Sequence, residues 1–596
     1  MLIGPVFTRE LATAPRRVRF YAAPAVYVGG LLVLMCTAWL LMIGTQQVRN
    51  VGDMARFGAA LFQFLAPLQL VLAVFFSALG SASAVAQEKD RRTLELLLLT
   101  NLSNSELVLG KLLASMLNVL VLLAAGLPFF MMIVLFGGVS FEQVLRVFAV
   151  TLVTALAAGS LGSTIALWRE KTFQTLALTA LVLAILAAWE VLLASGALFA
   201  SQSGAALGRW AGALSPWQAV LAAARPQLIQ SAKWLAFGSA YQTYVALAIA
   251  ITVGINLIAM LMVRVWNPSK EVRFRADDPD EFRTAADAAA DPTAPAAARS
   301  VHAAPGKLRS VWDNPVLWRE VCTWAYGRKV VIVRLVYVAL FIATALGVHA
   351  ALRILGSSTS SASTLPVTVL PLLVLSLVLV NALAVTSITT ERDLGAFDLL
   401  LVTDLTPLEF IWGKLAGVCY VAKEMILLPA ALAVYLCIAG ALSLENLIYL
   451  LGGLALMNLF VATLGIHAGL TYTNSRSAVA VSLGTVFFLF VGVATCMRIM
   501  ISFSGSFQLQ LAPFLAFMIG GSAGLFAALG ARNPSQAIGL ASLLLPVLTF
   551  VAITGFLQGD TLGVFLIVEF TYGLTTAAML VPAISEFDVA TGRTTD

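Results

Sequence analysis

The chain has 596 residues, 60% of them hydrophobic and 11% charged, and its mean hydropathy is +0.94. Soluble domains run about 45–50% apolar and about 25% charged, which excludes soluble enzymes, nucleic-acid binders and disordered proteins. In a soluble chain the net charge of +6 would suggest a nucleic-acid binder; in a polytopic membrane protein what matters is where those charges sit, because Lys and Arg collect in cytoplasmic loops.

A helix crosses the hydrocarbon core with about 20 consecutive apolar residues. Pro5 to Arg19 mixes acid and base, so it predicts an interfacial helix leading into a retained span rather than a secretory signal. Spans are expected near 20–43, 61–86, 107–137, 144–167, 174–200 and 240–265, then near 330–355, 365–389, 410–440, 446–470, 477–503 and 561–583. Between the two sets, 267–310 is rich in Ala, Pro and Asp and lacks an apolar period, the composition of a flexible cytoplasmic linker. The expected fold is an all-α polytopic membrane protein with a first half over 1–266 and a second over 311–596. Leu509 to Ala531 and Ser535 to Leu557 are further apolar stretches, where the first half has only the weaker Ala205 to Gln230. The first-half stretch reads as a re-entrant or interfacial hairpin near the outer face. The region 509–557 is either two extra spans or a similar hairpin, and twelve or fourteen spans both return the C-terminus to the N-terminal side.

The halves repeat each other's punctuation. Gly4-Pro-Val-Phe-Thr-Arg-Glu-Leu matches Asn314-Pro-Val-Leu-Trp-Arg-Glu-Val at an offset of 310, and the 24 residues from Glu88 to Lys111 match Glu391 to Lys414 without a gap at 303. Gly162 to Thr172 matches Gly465 to Ser475 at the same 303. The outer loop Gly44 to Ala60 is the expected place for the seven extra residues. Lys89, Arg91, Arg92, Arg169, Lys171, Arg264, Lys270, Arg273 and Arg275 fall on one side when the N-terminus is inside, which makes that side the cytoplasm. An even six spans per half predicts parallel repeats.

The repeated segment carries readable chemistry. A polar cluster precedes Leu94, Leu96, Leu97, Leu98 and Leu99, too few to span and too apolar to be solvated. A helix then opens with a capping box, Ser103 with Glu106, repeated as Thr406 with Glu409 and helped there by Pro407. Gly110-Lys111 and Gly413-Lys414 follow two turns later, where a lysine is expected to snorkel to the interface.

With these motifs the chain resembles the type-2 permeases of ATP-binding-cassette (ABC) transporters, whose pattern E-R-x-x-G-T-L-E-x-L-x-x-T-P appears twice. The resemblance implies two permease halves fused in one chain, each with an elbow helix (Pro5 to Arg19, Pro315 to Lys329) and a cytoplasmic coupling helix that docks on an ATPase. The docking residues it implies are Glu88, Arg91, Arg92, Thr93, Leu94 and Glu95 in the first copy, and Glu391, Asp393, Gly395, Phe397 and Asp398 in the second. Arg92 stands for the pattern's Gly, while the second copy keeps Gly395 but has Ala396, Phe397 and Asp398 for Thr, Leu and Glu. Over matched positions the first loop's charges balance, whereas Glu391, Arg392, Asp393 and Asp398 leave −2, so the two docking surfaces are expected to differ.

No phosphate loop is present. The pattern G-x-x-x-x-G-K-[ST] requires a glycine five residues before Gly110 and a Ser or Thr after Lys111, where the chain has Ser105 and Leu112; the second copy has Leu408 and Leu415. The chain is therefore expected not to be an enzyme and to hold no cofactor of its own, with ATP and Mg on partner ATPase subunits, as a homodimer or heterodimer. Intramembrane ionisable residues are functional candidates: Glu190, Lys423, Glu424 and Glu569, with His467 and Arg498 read as packing and snorkelling residues. The five Cys and three His show no metal spacing. The resulting expectation is the membrane subunit of a bacterial inner-membrane ABC exporter, seated in the lipid bilayer with both termini cytoplasmic and no nucleic-acid partner. A non-transporting membrane scaffold and a secondary transporter are the alternatives.

Overall fold

A computed structural model of the chain describes residues 5–16, 19–45, 50–91, 93–169, 171–195, 214–225, 240–267, 312–322, 330–355, 359–397, 405–502, 507–530, 535–585 and 587. These residues form α-helices with no strand among them. In the first half the helices are α1 (Pro5–Thr13), α2 (Arg19–Thr45), α3 (Val51–Asp90), α4 (Thr93–Leu99), α5 (Asn104–Leu135), α6 (Phe141–Trp168), α7 (Thr172–Ser195), α8 (Pro216–Ala224) and α9 (Ala240–Trp266). The second half follows with α10 (Pro315–Cys322), α11 (Val330–Leu355), α12 (Thr359–Asp393), α13 (Pro407–Val421), α14 (Lys423–Ile438), α15 (Leu444–Thr471), α16 (Ser475–Ser502), α17 (Phe507–Leu529), α18 (Gln536–Gln558) and α19 (Thr561–Ser585). Among the described residues, eleven helices are long and apolar enough to cross a membrane, or twelve when α13 and α14 count as one bent span. The protein is a multi-pass, all-α membrane protein.

Three expectations change. The outer loop expected over Gly44 to Ala60 is shorter, because α3 already starts at Val51 with Asn50 as its cap. At 40 residues α3 is about 60 Å long, twice the hydrocarbon thickness, so it overhangs the bilayer. The span expected over 410–440 is broken at Ala422, where α13 and α14 meet at 58°. Lys111 and Lys414 do not snorkel; both are buried, for the reason given below. The expected linker 267–310 and most of Ala205 to Gln230 lie outside the described residues, but α8, from that stretch, packs its Ala219, Val220, Ala223 and Ala224 inward against α3, α6 and α9.

Equivalent helices pack alike in the two halves. α3 lies along α6 and α12 along α15; α9 lies against α6 and α19 against α15. Close approach needs small residues, and it occurs at matched positions. A Cβ on Gly162 would overlap the Ala78 carbonyl oxygen, and one on Gly465 would stand 2.9 Å from the carbonyl oxygen of Asn381, the residue 303 positions after Ala78.

The halves share their core. One buried cluster joins Leu79, Phe173, Leu176 and Leu181 of the first half to Leu379, Leu383, Leu464 and Val479 of the second, and α17 packs against α2. The seam between them includes α7 on α11 and α12, and α3 on α16.

Candidate functional site

The described parts of the segment Glu88 to Lys111 and of its repeat form matching contacts. Both capping boxes form. Glu106 Oε2 accepts from the Ser103 backbone N at 3.1 Å and hydroxyl at 2.8 Å; Glu409 Oε2 accepts from Thr406 at 3.0 and 2.8 Å. These caps fix where the helix after each loop begins.

The residues before the loop explain the shared E-[KR]-D. Glu88 forms an ion pair with Lys111, and Glu391 Oε1 lies 2.6 Å from Lys414 Nζ, so in both copies the motif's first Glu and the Gly-Lys lysine clasp the two ends of the loop together. Gly413 makes room for the elbow: a Cβ there would stand 2.7 Å from Asn314 Oδ1. Lys414 also reaches Glu320 Oε1 at 2.6 Å, and Arg319 pairs with Glu391. The elbow helix α10 is thereby bound into an electroneutral quartet of Arg319, Glu320, Glu391 and Lys414. At the matching elbow, Arg9 and Glu10 lie close enough for their charges to act on Lys111. The next residue caps a neighbouring span: Lys89 Nζ donates to Leu167 O at 2.5 Å and Arg169 O at 2.8 Å, while Arg392 donates to Leu470 O at 3.4 Å and to Tyr472 O. The acceptors match in pairs at 303. Cations at helix C-termini satisfy carbonyls the helix leaves open. Asp90 accepts from Thr172, whereas Asp393 is approached by Arg91 Nη2 at 3.4 Å from the other half.

Between these anchors, α4 is two-faced. Leu94 and Leu98 are buried one turn apart among Val85, Leu107, Leu167 and Val263, while Glu95, Leu96 and Leu99 are exposed. Arg264 of α9 holds the end of α4, donating to Leu98 O at 3.4 Å, Leu102 O at 3.1 Å and Asn104 Oδ1 at 2.8 Å. In the second copy Gly395 turns the chain with φ +70°, and Phe397 is buried against Phe410, whose ring also meets that of Phe587.

Of the residues expected at a docking surface, Arg91 and Thr93 are exposed with Glu95 and Gly395. Leu94 and Phe397 are not at that surface: both are buried and anchor the loop from inside. Glu88, Glu391 and Asp393 are taken up by the pairs above. Arg92 and Asp398 lie outside the described residues. Sequence reasoning missed Arg264, Lys89 and Arg392 as loop anchors; the last two are basic at one repeat position, which was the available signal.

The intramembrane candidates do not form one site. The Glu190 side chain lies outside the described residues. Glu424 Oε1 is 3.5 Å from Arg334 Nη1, Lys423 is exposed with its ammonium 4.8 Å from the Tyr420 ring centre, and Glu569 makes no ion pair among the described residues. His467 is a buried packing residue, its Nε2 2.9 Å from Leu529 O. No metal-holding group of His, Cys, Asp or Glu occurs among the described residues.

Residues 47–262 match the family model described as ABC-2 family transporter protein. Neither a curated protein nor a solved structure matches the chain.

Proposed function

Because residues 47–262 match the membrane domain of the ABC-2 transporter family, we propose that the chain is the permease subunit of an ABC exporter in a bacterial inner membrane, with both permease halves in one polypeptide and termini cytoplasmic. The observation that carries the reading is α4: a seven-residue helix held from one side by Leu94, Leu98 and Arg264, with Leu96 64% and Leu99 70% exposed. Exposed leucines on a rigidly held helix outside the hydrocarbon form an apolar patch of the kind that marks a protein interface. Their partner is a separate ATPase, which binds the ATP and Mg that this chain has no phosphate loop to hold.

The substrate path runs along the seam between the halves, closed in this conformation. Phe75 of α3 stacks on Phe487 of α16 at 3.7 Å, and Phe76 meets Phe487 and Phe488 edge-on or tilted. Toward the coupling loops, Gln87 Nε2 donates to Asn474 Oδ1 at 2.9 Å, beside the Arg91–Asp393 pair. ATP-driven movement of the ATPase pulls on α4, and the Glu88–Lys111 and Glu391–Lys414 clasps convert that pull into motion of α3, α5, α12 and α13, parting the seam. Each clasp acts as a positioning device rather than a docking contact.

Reconstitution with the ATPase tests the reading. Purified chain should hydrolyse no ATP alone and recruit the ATPase when mixed with it, and Leu96→Glu with Leu99→Glu should abolish recruitment. ATP turnover by the chain alone, or unaltered recruitment by the double variant, would overturn it.

A further inference from the structure

The third span of the second half breaks at Ala422, and the break is stabilised by charge. Met425 N bonds to Ala422 O at 2.9 Å instead of to Val421 O, so the Val421 carbonyl loses its helical donor. Arg334 Nη2 of α11 replaces it at 2.8 Å. Pro429 has no N–H, so the Met425 carbonyl is also open; it accepts from Tyr337 Oη at 3.3 Å and Ser376 Oγ at 2.5 Å. Broken helices survive in a membrane only with such substitute donors. Arg334 Nη1 then faces Glu424 Oε1 at 3.5 Å, which neutralises the guanidinium.

Lys423 is left over. No carboxylate pairs with it among the described residues, and its ammonium sits only against the Tyr420 ring. It belongs to a set of exposed residues on either side of the break: Trp412, Ala416 and Tyr420 share one face of α13, and Lys423, Leu427, Ala431 and Val434 share one face of α14, each three or four residues apart. The helices that meet across the halves are α2, α3 and α7 with α11, α12, α16 and α17; α13 and α14 are not among them, so we read their exposed residues as facing lipid. Their only cation lies nine residues beyond Lys414, just past the break, and is read as lying in the leaflet next to the coupling loops. An unpaired cation at that depth is costly, and its flexible stem lets it reach the phosphate layer.

We propose that Lys423, with Tyr420 and the apolar stripe around it, is a binding site for one anionic phospholipid, whose phosphodiester sits on the Lys423 ammonium while an acyl chain follows Leu427, Ala431 and Val434. A zwitterionic lipid carries its own cation to compete with Lys423; an anionic one does not. The first half has Leu120 and Val121 at the positions of Lys423 and Glu424, so this site has no counterpart at the matched position of the first half.

The test is native mass spectrometry of the detergent-purified full chain titrated with dioleoyl phosphatidylglycerol, with dioleoyl phosphatidylcholine in parallel. Wild type should retain one tightly held phosphatidylglycerol; Lys423→Gln should weaken its binding about five-fold, the effect of one cation near an anionic lipid surface; Lys423→Arg should retain it. The altered side chain is exposed, so melting temperatures should agree across the three proteins. Unchanged phosphatidylglycerol binding in Lys423→Gln, or equal retention of phosphatidylcholine by wild type, overturns the proposal.

Discussion

Lys414 Nζ lies 2.6 Å from Glu391 Oε1 and is wholly enclosed, whereas its counterpart Lys111 pairs with a Glu88 that is 39% exposed. Removing one member of a buried pair strands the other charge, at a cost of about 3–5 kcal/mol; at Glu88, water offsets much of that loss. Lys414→Met should therefore lower the thermal melting point of the detergent-solubilised protein far more than Lys111→Met. The double variant Lys414→Met with Glu391→Gln should recover part of the loss, because the stranded carboxylate is gone. Equal shifts for the two single lysine variants would contradict the difference in enclosure.

If α4 recruits the ATPase as proposed, its two faces separate stability from recruitment. Leu98→Ala should destabilise the protein by about 2–3 kcal/mol, as a buried Leu truncation does, with ATPase binding weakened only as far as the loop loosens. Leu99→Ser should leave the melting point unchanged and reduce ATPase capture on beads coated with the chain. A melting shift from Leu99→Ser larger than that from Leu98→Ala would mean the faces are reversed.

Seam closure can be trapped. In a cysteine-free background, Gln87→Cys with Asn474→Cys should be joined by a short bifunctional maleimide, so that protease cleavage within 268–311 leaves the two fragments linked on a denaturing gel. Linking should arrest transport in vesicles, and when a disulfide-containing bismaleimide is used instead, cleaving its disulfide with a reductant should restore it. Full transport by the linked protein would show that this part of the seam does not move.

Close helix approach at the matched glycines gives a fourth prediction. Gly162→Leu and Gly465→Leu should each cost about 1–3 kcal/mol, the usual range for overpacking, read as lowered melting points. Gly453→Ala is the control, since nothing stands within 4 Å of a Cβ there. If the control shifts as much as the two leucine variants, the approach of α6 to α3 and of α15 to α12 is not what the glycines serve.

Most helices were legible because their signals are local: Ser103 and Thr406 stand three residues before Glu106 and Glu409, and apolar length marks a span without reference to its neighbours. The break at Ala422 was not legible. Neither Ala422 nor its neighbours are helix breakers, and the donor that compensates the Val421 carbonyl, Arg334, is 87 residues away. The burial of Lys414 escaped for the same reason: a lysine two turns into a span reads as a snorkelling cation until Glu320 and Glu391 are brought to it by tertiary packing. Arg92 and Asp398, read from the motif alone, remain outside the described residues.

The Arg91–Asp393 bridge gives the joint between the halves a polarity. An interface between identical subunits repeats each contact with the roles exchanged, but the counterpart of Arg91 is Leu394, and that of Asp393 is Asp90, which is held by Thr172. The bridge has no mirror image. A second half paired with a copy of itself would set Leu394 against an Asp393 that is 5% exposed, leaving a shielded carboxylate without its cation. The chain thus joins unlike halves, and at this edge of the seam the first half presents a cation that the second half's own copy does not supply.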